Sequence, residues 1–198
     1  MEMLCFSVVP PIGWKEIQLS PSERESQITQ AGRRLREGIP NWQSVYPSFR
    51  RAMALSYSQA WDSGVRYAIT SVPEPEEPVQ IVASYMIAVL PPASEDGTDE
   101  LSHIEENVLA ERDGIEDDER FEASRIQVSN FGDAIQVDDL RHPSDKSDVF
   151  IASRRIFLPV HGKVLMAVGY TPQVQIADVL FELFLRITQT LEIWEEEE

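Results

Sequence analysis

The spacing of apolar residues between positions 149 and 194 restricts this chain more than any other feature. Ile176, Val179, Leu180, Leu183, Phe184, Ile187 and Leu191 recur every three or four residues, the repeat of a helix that buries a single face. Ahead of them, residues 149–158 and 164–170 are dense in apolar and aromatic side chains, with Pro159, Val160, His161 and Gly162 between them. Two such runs joined by a short glycine-containing connection predict a β-hairpin. A helix with one apolar stripe needs a surface to lie on, and a sheet built around that hairpin supplies it. Nothing on this core carries reaction chemistry.

The 198 residues are enough for one domain and short for two, and 42% apolar with 9% aromatic residues is an ordinary globular composition. We read residues 1–194 as a single α+β domain with an acidic excursion at 92–120, and 195–198 as an acidic tail. The net charge of −17 sets the chain apart. It disfavours nucleic acid and anionic membranes, which carry the same sign, and it fits a basic partner. Between Pro92 and Arg120 twelve acids face two arginines, whereas Lys15 to Arg66 is net positive, with Arg33, Arg34 and Arg36 close together and Arg50 beside Arg51. For either run a solvated face is the plain reading.

Cys5 is the only cysteine, so the chain forms no internal disulfide and no cysteine metal cluster. Residues 1–11 lack the basic start and apolar stretch of a signal peptide, and the longest apolar run, 81–90, is far short of a membrane span. These features predict a cytoplasmic protein.

In chain order, residues 4–9 predict a strand ended by Pro10 and Pro11, with Trp14 just past the turn. Ser20, Pro21 and Glu23 predict a helix start, with Ile28, Ala31 and Leu35 on one face. A second helix runs from Val45 or Pro47 to Trp61. Strands follow at 65–72 and 79–90, then a helix over 100–112 with Leu101, Ile104 and Val108 inward. Two more strands, 121–128 and 134–140, lead into the hairpin and the closing helix, which carries Trp194 at its end. The expected architecture is a central antiparallel sheet of about six strands flanked by helices.

A strand running into Pro10-Pro11-Ile12-Gly13-Trp14, then antiparallel strands, the hairpin from Arg155 through His161-Gly162-Lys163 to Leu165, Thr171-Pro172 and a closing helix resembles the PsbP-like superfamily. That group includes PsbP, the DcrB-type proteins and the LpqN-type lipoproteins. The resemblance is clearest over 121–193 and implies a sheet sandwiched by helices. It implies a binding, assembly or chaperone role, without a shared catalytic set.

His161 sits in the hairpin turn and His142 in a polar loop. His103 shares a helical face with Glu100 and Glu106, which reads as a surface charge cluster in preference to a metal site. Cys5 has no basic neighbour to activate it, and no nucleophile elbow or phosphate loop occurs. We therefore expect no catalytic, metal or cofactor residues. Trp14 and Trp42 are the aromatic anchor candidates, Trp61 and Trp194 being expected to complete helix faces. Glu105, Glu106, Glu116, Asp117, Asp118 and Glu119 are the acidic ones. The expected function is non-enzymatic binding of a basic protein, of the immunity or secretion-chaperone kind. The alternative is a small-ligand carrier or hydrolase with its pocket between sheet and helices. Self-association would have to overcome repulsion between two acidic chains, unless the Arg33–Arg51 region of one met the acidic excursion of another.

Overall fold

The computed structural model describes residues 3–36, 38–72, 80–94, 99–111, 120–142 and 149–196. Met3–Ser7 (β1) and Trp14–Glu16 (β2) precede two helices, Arg24–Leu35 (α1) and Trp42–Asp62 (α2). Val65–Ser71 (β3), Ser84–Leu90 (β4) and the helix Glu100–Glu111 (α3) follow. Arg120–Val128 (β5), Gly132–Arg141 (β6), Ile151–Val160 (β7) and Lys163–Thr171 (β8) are consecutive antiparallel strands. A short 3₁₀ turn, Val174–Ile176, leads into Ala177–Gln189 (α4), and Glu192–Glu196 (β9) ends the described chain.

The main sheet has seven strands in the order β2-β3-β4-β8-β7-β6-β5, all antiparallel, and a separate two-stranded ribbon pairs β1 with β9. The α+β sheet with its C-terminal helix packed on one face is thus present. The extra strand in the sheet is β2, three residues that are too short to read from periodicity. Trp14, just past the Ile12–Gly13 turn, is therefore the first residue of a strand, opposite Ser71. The β7–β8 hairpin closes through His161 (φ 48°) and Gly162 (φ 67°), both left-handed, as a two-residue turn between twisted strands requires.

One face of the sheet holds the principal core. Tyr85, Ile87, Ile156, Leu158, Leu165 and Ala167 from the strands meet Leu180, Phe181, Phe184 and Ile187 of α4. The ring of Phe184 lies on Gly169 of β8, where any Cβ would enter the ring. Inside this apolar layer the Tyr85 hydroxyl and Thr188 Oγ1 are 2.9 Å apart, and Thr188 also donates to the Phe184 carbonyl at 2.9 Å. The buried hydroxyls are thus satisfied by each other and by the helix backbone. Leu4, Phe6, Val8 and Ile193 of the ribbon region extend the same core.

The opposite face is covered in two places. Ile104 and Val108 of α3 pack on Ile135, Val137, Phe157 and Val164, while Tyr57, Ala60 and Trp61 at the end of α2 pack near Val65, Ala68 and Ala88. Gly64 (φ 94°) makes the turn from α2 into β3 and lies so close to the Val89 carbonyl that a Cβ there would be 2.5 Å away.

Three sequence expectations are corrected. The closing helix stops at Gln189 and does not reach Trp194: Thr190 N and Leu191 N bond back to Ile187 and Thr188 carbonyls, and the chain reverses into β9. Leu191 keeps the helical spacing because the turn delivers it to the same core. Glu195 and Glu196 of the expected acidic tail accordingly belong to β9, paired with Leu4 and Met3. Finally, α1 begins at Arg24, because Ser20 Oγ donates to the Glu23 carboxylate at 2.9 Å and caps no helix N–H. Residues 73–79, 143–148 and much of the acidic excursion lie outside the described residues.

Candidate functional site

The sequence-predicted partner residues fall on three separate elements. Trp14 is half-buried in β2 and packs against the principal core, so its ring serves the fold. Trp42 opens α2, a helix of 21 residues that has no buried residue. Its ring makes a tilted contact with Phe49 and another with Tyr46, each at 5.4 Å between centroids. Gly32 of α1 admits the Tyr46 ring, since a Cβ there would lie 2.6 Å from it. The two helices therefore approach closely at their joined ends, with Asn41 (φ 59°) turning the chain between them. α2 starts three residues before Val45, and Pro47 is accommodated in its second turn, where it forgoes the bond to residue 43.

Glu105 and Glu106 lie on α3 with different fates. Glu105 pairs with Arg125 of β5, whereas Glu106 is exposed. Glu100 turns back to accept the Ala93 N–H at 2.7 Å and the Ser94 hydroxyl at 3.1 Å, tying the start of α3 to the chain after β4. His103 Nδ1 lies 3.2 Å from the Asp99 carbonyl, so Glu100, His103 and Glu106 do not converge. Among the described residues no group of three His, Cys, Asp or Glu side chains could hold a metal ion. Glu116, Asp117, Asp118 and Glu119 lie outside the described residues.

Sequence reasoning missed a double ladder of charge across β6 and β7. The register sets Asp138 opposite Arg154 and Asp139 opposite Ser153, next to Arg155. Successive side chains point to opposite faces, so one pair of charges serves each face. On the α4 face Arg154 makes a forked contact with Asp138 (Nε–Oδ1 2.6 Å, Nη2–Oδ2 2.7 Å), and its guanidinium lies over the Phe181 ring. On the α3 face Arg155 reaches Glu111 at 2.9 Å and Asp139 at 3.2 Å, with Arg141 beside the same two acids. Asp138-Asp139 and Arg154-Arg155 were the available signal, legible once the register of two strands is known.

Between α3 and the sheet lies a cavity of about 240 Å³, walled by Leu90, Ile104, Val108, Phe157 and Val164, with Asn107 and Glu111 as its polar groups. Glu111 is also the carboxylate that Arg155 holds, so one charged pair stands at the end of an apolar space. The resolved titration shifts lie elsewhere and have plain causes. Burial raises Tyr57 and Tyr85, and raises Tyr67 to about 12. The hydrogen bond from Arg120 lowers Glu122 and raises Arg120 itself, and the Glu105 contact raises Arg125.

No protein-family model matches the chain, and no curated protein matches it by sequence. Solved structures of similar shape include LpqN of Mycobacterium tuberculosis, involved in cell envelope biogenesis. It is 10% identical with a TM-score of 0.49, over 96% of this chain and 84% of that one. Others are PA94 of Pseudomonas aeruginosa, of unknown function (13% identical, TM-score 0.48, over 65% and 82%), and the Saccharomyces cerevisiae Ran-binding protein Mog1p (9%, 0.45, 64% and 77%). Similarity this distant carries no functional argument. Among the described residues no helix is long and apolar enough to cross a membrane.

Proposed function

We propose that the chain is a cytoplasmic, non-enzymatic protein-binding module of PsbP-like fold that recognises a basic protein partner. The observation that carries this reading is the pairing of positive charge on strands β5 to β7. Arg120, Arg125, Arg141, Arg154 and Arg155 each sit against a carboxylate. Those arginines therefore contribute little positive potential, and the excess acid of a −17 chain is left to steer a partner toward the α3 side. Glu106, exposed on α3, is the contact we assign there. A basic toxin covered at its active site would make this an immunity-type protein; an extended basic segment would make it an assembly chaperone.

The test is capture from native lysate at low and high salt with the parent chain and with a Glu105→Gln/Glu106→Lys variant. A basic protein retained at low salt, released at high salt and lost by the variant supports the proposal. Retention of nothing, or retention that the variant leaves intact, refutes it.

The cavity beneath α3 favours a second reading, a small-ligand carrier or hydrolase with Glu111 and Asn107 as its polar groups. Thermal-shift screening of small amphipathic compounds checks it, with Val164→Phe filling the space: stabilisation that the variant abolishes would favour this reading.

A further inference from the structure

The α1–α2 hairpin has the opposite character to the rest of the molecule. From Arg24 to Asp62 six arginines face three acids in a chain whose net charge is −17. Arg50 is paired with Glu25 at 2.7 Å. Arg33, Arg34, Arg36 and Arg51 make no ion pair or side-chain hydrogen bond among the described residues, and all four are exposed. The helix dipole accounts for Arg33 and Arg34, which lie in the last turn of α1. It does not account for Arg36, beyond that helix, or for Arg51 in the middle of α2.

Two of these charges, Arg33 and Arg36, border an aromatic surface with shape. Two adjoining depressions, of about 640 and about 400 Å³, lie where the helices join, and Arg36, Trp42 and Gln43 border both. Arg33 and Tyr46 line the second, and the Asn41 amide borders the first. A guanidinium offers a rigid fork that fits a carboxylate through two N–H groups, and an indole beside it offers apolar contact and one N–H donor. Amides next to both suit a peptide backbone, which needs donors and acceptors in alternation.

We propose that the Arg33–Arg36–Trp42 corner docks an acidic segment of a partner protein, carboxylates on the arginines and an apolar side chain on Trp42. The charge balance selects this occupant. Screening limits the local positive zone to about 8–10 Å at physiological salt. A nucleic acid or an anionic membrane extends well beyond that zone and meets the repulsion of the remaining chain, whereas a few carboxylates fit within it. This surface is distinct from the α3 side and stands whether or not a basic partner binds there.

The experiment is fluorescence anisotropy with a labelled peptide of Glu and Asp residues carrying two Phe residues, titrated with the full chain. Arg33→Glu/Arg36→Glu is the test variant, Arg186→Glu on α4 the charge control, and Trp42→Phe the aromatic probe, each checked for its thermal midpoint. We expect saturable binding, weakened about tenfold by the double reversal and less than about twofold by Arg186→Glu. Trp42→Phe should weaken it by an intermediate factor. The proposal is overturned by failure of the peptide to bind, or by equal weakening in the control. Tighter binding of a single-stranded oligonucleotide or of phosphatidylserine vesicles also overturns it. So does low-salt self-association that the double reversal abolishes, since the occupant would then be a second copy.

Discussion

Replacing Gly169 by alanine tests the packing on which the principal core depends. Gly169 is in β8 with an ordinary extended backbone, so alanine meets no conformational penalty there; by restricting the unfolded chain it would by itself stabilise by about 0.4–1 kcal/mol. Against that stands the Phe184 ring. Its Cγ and both Cδ atoms lie where the new methyl would go, far inside the roughly 3.5–4.0 Å at which carbon atoms rest. The ring has little room to yield, because it is 1% exposed and packs on Tyr85 and Phe181 at 6.3 and 6.4 Å between centroids. Its backbone carbonyl is also held by Thr188. Relief requires α4 to lift or the ring to leave its rotamer. Overpacking of a tight core costs about 1–3 kcal/mol and sometimes more, and complete loss of a Phe side chain costs about 3–5. Gly169→Ala should therefore destabilise by about 2–4 kcal/mol, a fall in Tm of roughly 4–16 °C for a domain of this size.

Chemical denaturation of four proteins decides it: parent, Gly169→Ala, Phe184→Leu and the double variant. The clash belongs to one pair of residues, so the double variant should be more stable than the sum of the single losses predicts, by at least about 1 kcal/mol. A Gly169→Ala protein within about 0.5 kcal/mol of the parent would refute the reasoning. Strict additivity would place the damage somewhere other than the ring.

Thr188→Val removes the partner of the buried Tyr85 hydroxyl and should cost about 1–3 kcal/mol, most of it recovered when Tyr85→Phe removes the stranded group as well. Denaturant midpoints of the two single variants and the double check this. A second expectation concerns alkaline pH. Tyr67 is raised to about 12, and Tyr57 and Tyr85 are raised with it, so above pH 10 the folded chain holds protons that the unfolded chain releases. Stability from these groups is complete below their unfolded pKa near 10 and falls as pH rises through the folded values. Melting curves taken between about pH 9 and 12 should show that decline, and Tyr67→Phe should make it shallower.

The fold was legible where one rule governed a segment. The closing helix carries an apolar stripe, although Val179 of the expected face is exposed, and Gly162 marks the turn between the two apolar runs of the β7–β8 hairpin. Legibility failed where two structures satisfy one pattern. Leu191 and Ile193 suit a continuing helix, and only the Thr190 turn, with its hydroxyl donating to the Ile187 carbonyl and accepting from Val9 N–H, leads the chain past Leu191 into β9. That contact joins residues 181 positions apart, so no local window contains it. The strand β2 was hidden for a related reason. Three residues have no period, and Trp14 becomes a strand residue only because Ser71 lies opposite it.

Charge was less legible than apolar spacing because a sequence gives charges without distances. Glu105 and Glu106 are neighbours of equal appearance, yet Glu105 is held by Arg125 and Glu106 is not. Arg154 and Arg155 look like one basic pair, but the pleat sends them to opposite faces and different carboxylates. Arg33, Arg34 and Arg36 look like a similar run, yet none of them has an ion pair among the described residues, and Arg33 and Arg36 border Trp42. Arg154 meets Asp138 across the strand pair, Arg120 meets Glu122 of its own strand, and Arg125 and Arg155 meet Glu105 and Glu111 of α3. Four exposed arginines without an ion pair among the described residues, Arg33, Arg34, Arg36 and Arg51, thus lie on the α1–α2 hairpin, whose second helix buries no residue and leaves surface to offer a partner.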